Sequence, residues 1–426
     1  MGLRVGVVLG NHEPGAGGAW TYSAMLTAAL KIAQFSHTFL VLDGILADHE
    51  LKQPVADYRP PLFWRRLFRT TANKAIAPAR KSIGLARYDT TDMTPQNDEN
   101  INCLEAIARS ERINLVWLME PWSEPLTVPY IATVWDLEHR KQPYFPEVST
   151  TGWTWSAREN VYNALLPRAS MIITGTQTGK EEVVRYYHVN PANVMIIPLP
   201  APAGAWMGQP LDAAGIKEKY RLNGDFLLYP AQFWPHKNHV NLLRALRLLR
   251  NRTDLDLSLV LTGSDKGNRD YVMQHVVELG LGDRVFVPGF VPREDLDALY
   301  QASTALVFPS YFGPDNFPPL EAFALNCPVI AANVPGAREQ MGEAALLFDP
   351  SDPSDIAAKI EFLCREPGLR PQLIRDGNEI AKRRTAHAYI ATLCSFLDRF
   401  EAIRRCWGVT YDHSCSAGRY GDERLG

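Results

Sequence analysis

Cysteine is scarce and scattered: six residues, Cys103, Cys327, Cys364, Cys394, Cys406 and Cys415, with no CxxC pair among them. That spacing argues against a zinc site or a disulfide framework and fits a reducing cytoplasm. No stretch reaches the roughly 18 uninterrupted apolar residues of a membrane-crossing helix. The opening MGLRVGVVLG runs into glycines and a polar loop before it attains the apolar length of a signal peptide. Charge of one sign is lacking too: 44 Lys and Arg against 47 Asp and Glu leave a formal −3. Global attraction to nucleic acid is thereby removed, and affinity for a membrane is left to local patches. The expected location is cytoplasmic, with no nucleic-acid partner.

What is present is a chain of 426 residues, 46% hydrophobic and 21% charged, too long for one ordinary core and long enough for two. Short β-branched runs alternate with helical patterns in both halves, as in a parallel sheet with crossover helices. In the first half strands are expected at Leu3 to Leu9, Thr38 to Leu42, Asn114 to Met119, Tyr130 to Trp135, Met171 to Thr174 and Val194 to Pro198, with a helix at Tyr22 to Ala33. The Pro-, Gly- and Ala-dense segment PLPAPAGAWMGQP then reads as a linker. The second half restarts with strands at Phe226 to Pro230, Leu257 to Thr262, Val285 to Val287, Thr304 to Phe308 and Val329 to Ala332. Its helices are expected at Lys237 to Leu249, Arg269 to Leu279, Arg293 to Gln301, Pro319 to Leu325 and Ala388 to Arg405. The expected fold is α/β: two Rossmann-like doubly wound domains, residues 1–203 and 204–387, facing across a cleft where open sheets of this kind bind ligands. A helix over 388–411 is expected to return to the first domain, followed by a loose tail over 412–426.

The strongest local signal is YFGPDNFPPLEAFALNCPVIAANVPGAREQ, from Tyr311 to Gln340. Pro318 and Pro319 precede a helix expected to carry Glu321 in its first turn, where a carboxylate can accept two hydrogen bonds from a ribose diol. Free amides there and in the loop Asp315 to Phe317 suit phosphate or sugar oxygens, although a capped helix after a turn explains the same residues. This passage resembles the donor-binding motif of family 4 glycosyltransferases, retaining and metal-independent enzymes of the two-domain GT-B type. The motif holds two glutamates separated by seven residues. Glu321 matches the second, but counting back eight positions lands on Gly313, so the first is absent. Asp315 and Asn316 are the expected replacements toward the sugar, with Phe317 and Leu320 beside them at the donor.

A second match is FLLYPAQFWPHKNHVNLLRAL, Phe226 to Leu246. The family grips the donor diphosphate here with a basic pair five residues apart, and this chain has Gln232 and Lys237 in those places. Lys237 can offset charge developing on the leaving diphosphate; a solvated helix start is the plainer account of His236 to His239. The His236/His239 pair lacks the carboxylates or cysteines of a metal site, and neither Asp254/Asp256 nor Asp295/Asp297 reads as a metal clamp. LTGSDKG and VFVPGFVPREDLDALY complete the resemblance and imply a nucleotide pocket lined by Gly263, Val291 and Pro292.

In the first half, Gly15, Gly17 and Gly18 lie between the first strand and helix, where backbone can approach phosphate or sugar. The full dinucleotide fingerprint is not met, which disfavours a nicotinamide cofactor. TVWDLEHRKQPYFPE offers Asp136, His139 and Arg140 to orient sugar hydroxyls or the acceptor, or to serve as a capping Asp beside a surface pair. The stretch 61–87 carries seven basic and no acidic side chains interleaved with aromatics, fitting peripheral contact with the inner membrane face, or an exposed charged helix.

The resemblance thus implies a hexosyltransferase with no cofactor and no metal, with Lys237, Glu321, Asp136 and His139 as its catalytic set. Its donor would be a nucleotide-sugar, with GDP-mannose favoured, and its acceptor a glycan or lipid-linked chain in cell-surface polysaccharide or lipopolysaccharide assembly. The rivals are a non-catalytic nucleotide-sugar-binding scaffold and a two-domain epimerase or phosphorylase.

Overall fold

The structure is a computed structural model that describes residues 2–9, 17–42, 103–120, 126–149, 153–202 and 213–407; the basic stretch 61–87 lies outside them. Two six-stranded sheets are formed, and every recorded strand pairing is parallel. The first contains β1 (Arg4–Val8), β2 (Thr38–Val41), β3 (Leu115–Leu118), β4 (Tyr130–Thr133), β5 (Met171–Thr174) and β6 (Val194–Ile196), in the order β2-β1-β3-β4-β5-β6. The second contains β7 (Asp225–Pro230), β8 (Leu257–Thr262), β9 (Val285–Gly289), β10 (Ala305–Phe308), β11 (Val329–Ala332) and β12 (Ala345–Phe348), in the order β12-β11-β10-β7-β8-β9.

Strands β3, β4, β5, β8, β10 and β11 are buried at every position, as apolar runs must be when helices cover both faces of a parallel sheet. The strand order reverses at β1/β3 in the first domain and at β7/β10 in the second, and loops leaving the carboxyl ends at such a reversal diverge to open a crevice. Strand β12 was not anticipated from the sequence. Its Ala345, Leu346 and Leu347 favour helix over strand, and only pairing with β11 makes them extended.

The chain crosses between domains twice, side by side, where the Ala201 amide donates to the Arg384 carbonyl at 2.6 Å. Beyond this point the Ala386–Arg404 helix lies on the first domain: Tyr389 stacks over Trp117, its hydroxyl is 2.7 Å from that of Tyr22, and Asp398 is 3.1 Å from His37 Nε2. Besides this last helix, which starts two residues before the expected Ala388, three helix starts differ from expectation. The first helix runs Gly18–Ile32, four residues earlier than expected, because only Gly17, at φ 101°, must leave helical geometry. The helix after β7 is His239–Arg252, since Pro235–Lys237 forms a 3-10 turn and Asn238 takes a left-handed conformation. The third, Phe317–Ala324, bears on the site itself.

Candidate active site between the two domains

The crevice of the second domain is built from the loops after β7 and β10. Asn238 sews them together, its Nδ2 donating to the carbonyls of Pro309 at 3.0 Å and Pro350 at 2.8 Å. Lys237 occupies the turn before it, with its carbonyl bound by the Tyr229 hydroxyl at 2.7 Å and its ammonium 5.3 Å over the Phe308 ring. Burial pushes the Lys237 ammonium down to about 8, opposed by Asp136 and Glu147 of the first domain. The neighbouring His236 is bonded to Glu147 of the first domain, which puts this turn at the boundary between the domains. His236 and His239 are buried rather than solvated. His236 stacks on Phe312 with ring centres 3.9 Å apart, and His239 on Phe233 at 4.6 Å. Burial lowers both imidazoles, to about 4 and about 3, so both are neutral.

Glu321 stands one turn inside the Phe317–Ala324 helix, not in its first turn, because the helix starts at Phe317 behind Asn316. It is only 7% exposed, and both oxygens are engaged: Arg293 Nη1 donates to Oε1 at 2.6 Å and the Tyr300 hydroxyl to Oε2 at 2.9 Å. A carboxylate oxygen has two acceptor positions, so each keeps one beyond these two bonds. Arg293 also pairs with Asp297 at 2.8 Å, and burial raises Asp297 to about 6. The sequence did not single out these supporting residues.

Two expected sugar contacts turn elsewhere. Asp315 accepts from the Leu199 amide at 3.3 Å and lies against Gly175, where a Cβ would fall 2.2 Å from Oδ2; burial raises its carboxyl to about 7. Asn316 closes its own loop, donating to the Phe312 carbonyl at 3.1 Å, while Gln340 bonds its backbone. In the structure these contacts hold the segment in place. The Leu320 side chain is fully buried in the core, which leaves only its backbone for a donor, and Val291 is buried as well. Gly263, at φ 138°, is explained by packing: a Cβ there would meet the Ala231 carbonyl at 2.4 Å.

From the first domain, Gly17 and Gly18 do come to the crevice. A Cβ on Gly17 would stand 4.0 Å from Gln232 Nε2, and one on Gly18 would press on the Phe317 ring at 3.0 Å. The β1 loop therefore closes on the loops of β7 and β10, which joins Gly17, Gly18, Gln232 and Phe317. Gln232 is held by Trp234 Nε1, which donates to its Oε1 at 3.0 Å. Asp136 accepts from the Glu138 amide at 3.0 Å and is steadied by Arg158 at 3.2 Å, and its charge favours the protonated form of Lys237. His139 does not reach the cleft: it is fully buried, with Nε2 at 2.7 Å from Glu159 and its ring on Tyr162. Burial would raise Glu159, but Arg140, His139 and Tyr187 hold it below the usual range. This cluster braces the loop that presents Asp136.

The first domain also supplies residues the sequence reading missed. Glu147 accepts from the His236 amide at 2.9 Å and from His236 Nδ1. Glu138, fully buried, accepts from the Gly313 amide at 3.2 Å, and Gln142 donates to the Tyr311 carbonyl at 2.9 Å. Glu339 of the second domain in turn accepts from the amides of Gln177 and Thr178. No sequence signal marks such contacts, since their partners are backbone amides some 90 to 175 residues away. Among the described residues one trio, His37, Asp398 and Glu401, could share a cation. It lies where the last helix meets the first domain, outside this crevice, and His37 Nδ1 already accepts from Leu3.

Two facing α/β domains, each a parallel six-stranded sheet whose strand order reverses once, define the fold class as GT-B. Residues 215–380 match the family model "Glycosyl transferases group 1", and the chain carries a domain of that family. The O-antigen chain mannosyltransferase B of Escherichia coli is 31% identical over 197 residues, 46% of this chain and 51% of that protein. The chain spans about half the length of the curated relatives it matches. Among solved structures, a glycosyltransferase from Rickettsia africae superimposes with a TM-score of 0.64 at 14% identity, covering 95% of this chain and 99% of that one. Anabaena Alr3699/HepE, solved with UDP-glucose, gives 0.60 at 16% identity, covering 94% and 100%. At such identities the likeness establishes the fold.

Proposed function

We propose that this protein transfers a hexosyl group from a nucleoside diphosphate sugar to a glycan or lipid-linked acceptor in cell-surface polysaccharide assembly. The observation that carries the reading is the placement of Lys237, in the 3-10 turn after β7, and Glu321, in the helix after β10, on segments that leave adjacent strands at the β7/β10 reversal, with Gly17 and Gly18 closing over them. Glu321 takes the donor ribose, Lys237 and the Gly17 to Gly18 backbone take the diphosphate, and Gln232 supplies a neutral donor where the family has a cation. Charge grows on the diphosphate as the glycosidic bond breaks, and a preorganised ammonium there stabilises the transition state more than the ground state.

The anomeric configuration is retained in this proposal, and no metal is needed: the acceptor oxygen attacks on the face the diphosphate leaves, and the departing phosphate takes its proton. Asp136 orients the acceptor or the transferred sugar opposite Lys237. The mannosyltransferase relative favours GDP-mannose, and the reaction is placed at the cytoplasmic side of a membrane. No described helix is long and apolar enough to cross one. The test is incubation of the purified protein with GDP-mannose, UDP-glucose and their congeners. Release of nucleoside diphosphate from one donor, lost in Lys237→Ala, supports the reading; binding without release in any acceptor mixture supports a non-catalytic binding protein. The latter reading draws on Gly313 and Gln232 standing where the family has a glutamate and a basic residue.

A further inference from the structure

A cavity of about 640 Å³ lies beside the donor crevice, between the Glu138–Lys141 helix of the first domain and the carboxyl ends of β11 and β12. Its wall includes Lys141, Gln142, Tyr311, Asn333, Asp349 and Asp355. The volume falls in the range of small-ligand sites, with room for roughly two or three sugar rings.

The charges in the wall decide what it can hold. Lys141 is neutralised twice, by Glu138 at 3.1 Å and Glu182 at 2.9 Å. Asp349 and Asp355 are anionic, and they meet each other only through the Asp349 amide, 2.9 Å from Asp355 Oδ2. With its one cation compensated and two carboxylates present, the cavity repels a phosphate and suits an uncharged ligand rich in hydroxyls. The exposed side chain of Asn333 offers both a donor and an acceptor to such hydroxyls. Tyr144, 74% exposed and packed beside Phe145, bonds through its hydroxyl to Oε1 of Gln142 in the cavity wall at 3.0 Å, so its ring is tied to that wall and open to solvent.

Tyr311 forms the partition with the donor crevice. Its amide donates to the His236 carbonyl at 2.9 Å, next to Lys237, while its hydroxyl is anchored to Pro350 at 3.3 Å on the cavity side. A chain of sugars in the cavity would therefore end beside the diphosphate grip.

We propose that this cavity is the binding site for the uncharged oligosaccharide end of the acceptor, with Asn333, Asp349 and Asp355 bonding its hydroxyls and Tyr144 stacking on a ring. The proposal rests on the transferase reading above. Binding of α-mannotriose and of maltotriose to the full chain is measured by ligand-observed NMR, alongside GDP and UDP on the same preparation. At least one trisaccharide should bind, and Asn333→Ala and Tyr144→Ala should each weaken it about fivefold to tenfold, the loss of one hydrogen bond or ring contact, with nucleotide affinity unchanged. Nucleotide binding without any trisaccharide binding, or trisaccharide binding indifferent to both substitutions, overturns the proposal. Failure of GDP and UDP to bind overturns the transferase reading and this site with it.

Discussion

Glu321 and Glu138 are buried carboxylates on opposite domains, and they differ in what satisfies them. Glu321 is met by Arg293 and Tyr300 of its own domain, so its setting is complete whether the domains stand together or apart. Glu138 is met by Lys141 and Gln142 of its own domain and by the Gly313 amide of the other. Burial raises its carboxyl above the usual range, with Lys141 opposing. With the domains together, the cross-domain bond satisfies both buried groups; separating them would break it and return both groups to water. In the proposed reaction Glu321 serves binding and Glu138 serves closure, which excludes water from the reacting sugar.

The largest effect is expected at neither glutamate but at the cation between the domains. Lys237→Ala should cut donor turnover by about 100-fold to 1,000-fold, the scale of removing one transition-state contact, read as release of nucleoside diphosphate. Next, the glutamates should separate. Glu321→Gln should weaken nucleotide binding about tenfold by calorimetry, whereas Glu138→Gln should leave it within about twofold and lower kcat about tenfold. Equal effects on both quantities in both variants would break the comparison.

A pH profile sharpens it. Lys237 holds its proton only to about 8 in the folded chain, against an ordinary 10.5. The unfolded chain binds that proton more tightly, so this residue makes the fold more stable as pH rises from about 8 towards 10.5. The grip on diphosphate runs the other way: kcat/KM for the donor should fall above pH about 8. Lys237→Arg, charged throughout, should flatten that fall. The smallest effect belongs to Gly18→Ala. Its Cβ, 3.0 Å from the Phe317 ring, should hold the domains slightly apart, lowering turnover about threefold with stability changed by less than about 0.5 kcal/mol.

The same contrast accounts for what the sequence could disclose. Lys237, Glu321 and the glycines belong to the turns and helix starts that follow strand ends, so the strand pattern located them. Glu138, Gln142 and Glu147 act on backbone amides and carbonyls of a distant segment, and nothing local to them records that partner. Asp315 and Asn316 were expected at the sugar from their positions in the loop; in the structure Asp315 turns to the Leu199 amide, a contact only the tertiary fold supplies, and the Asn316 side chain bonds the Phe312 carbonyl of its own loop. His139 was expected at the cleft because it shares the loop after β4 with Asp136, but Glu159 and Tyr162 draw the imidazole inward.

A crystal of the full chain with a nucleoside diphosphate tests the account most directly. It should show the ribose on the free acceptor positions of Glu321, with Arg293 and Tyr300 still in place, and the diphosphate against Lys237 and the Gly17 to Gly18 backbone. A nucleotide lodged elsewhere, with Lys237 facing Asp136 and no phosphate between them, would contradict it.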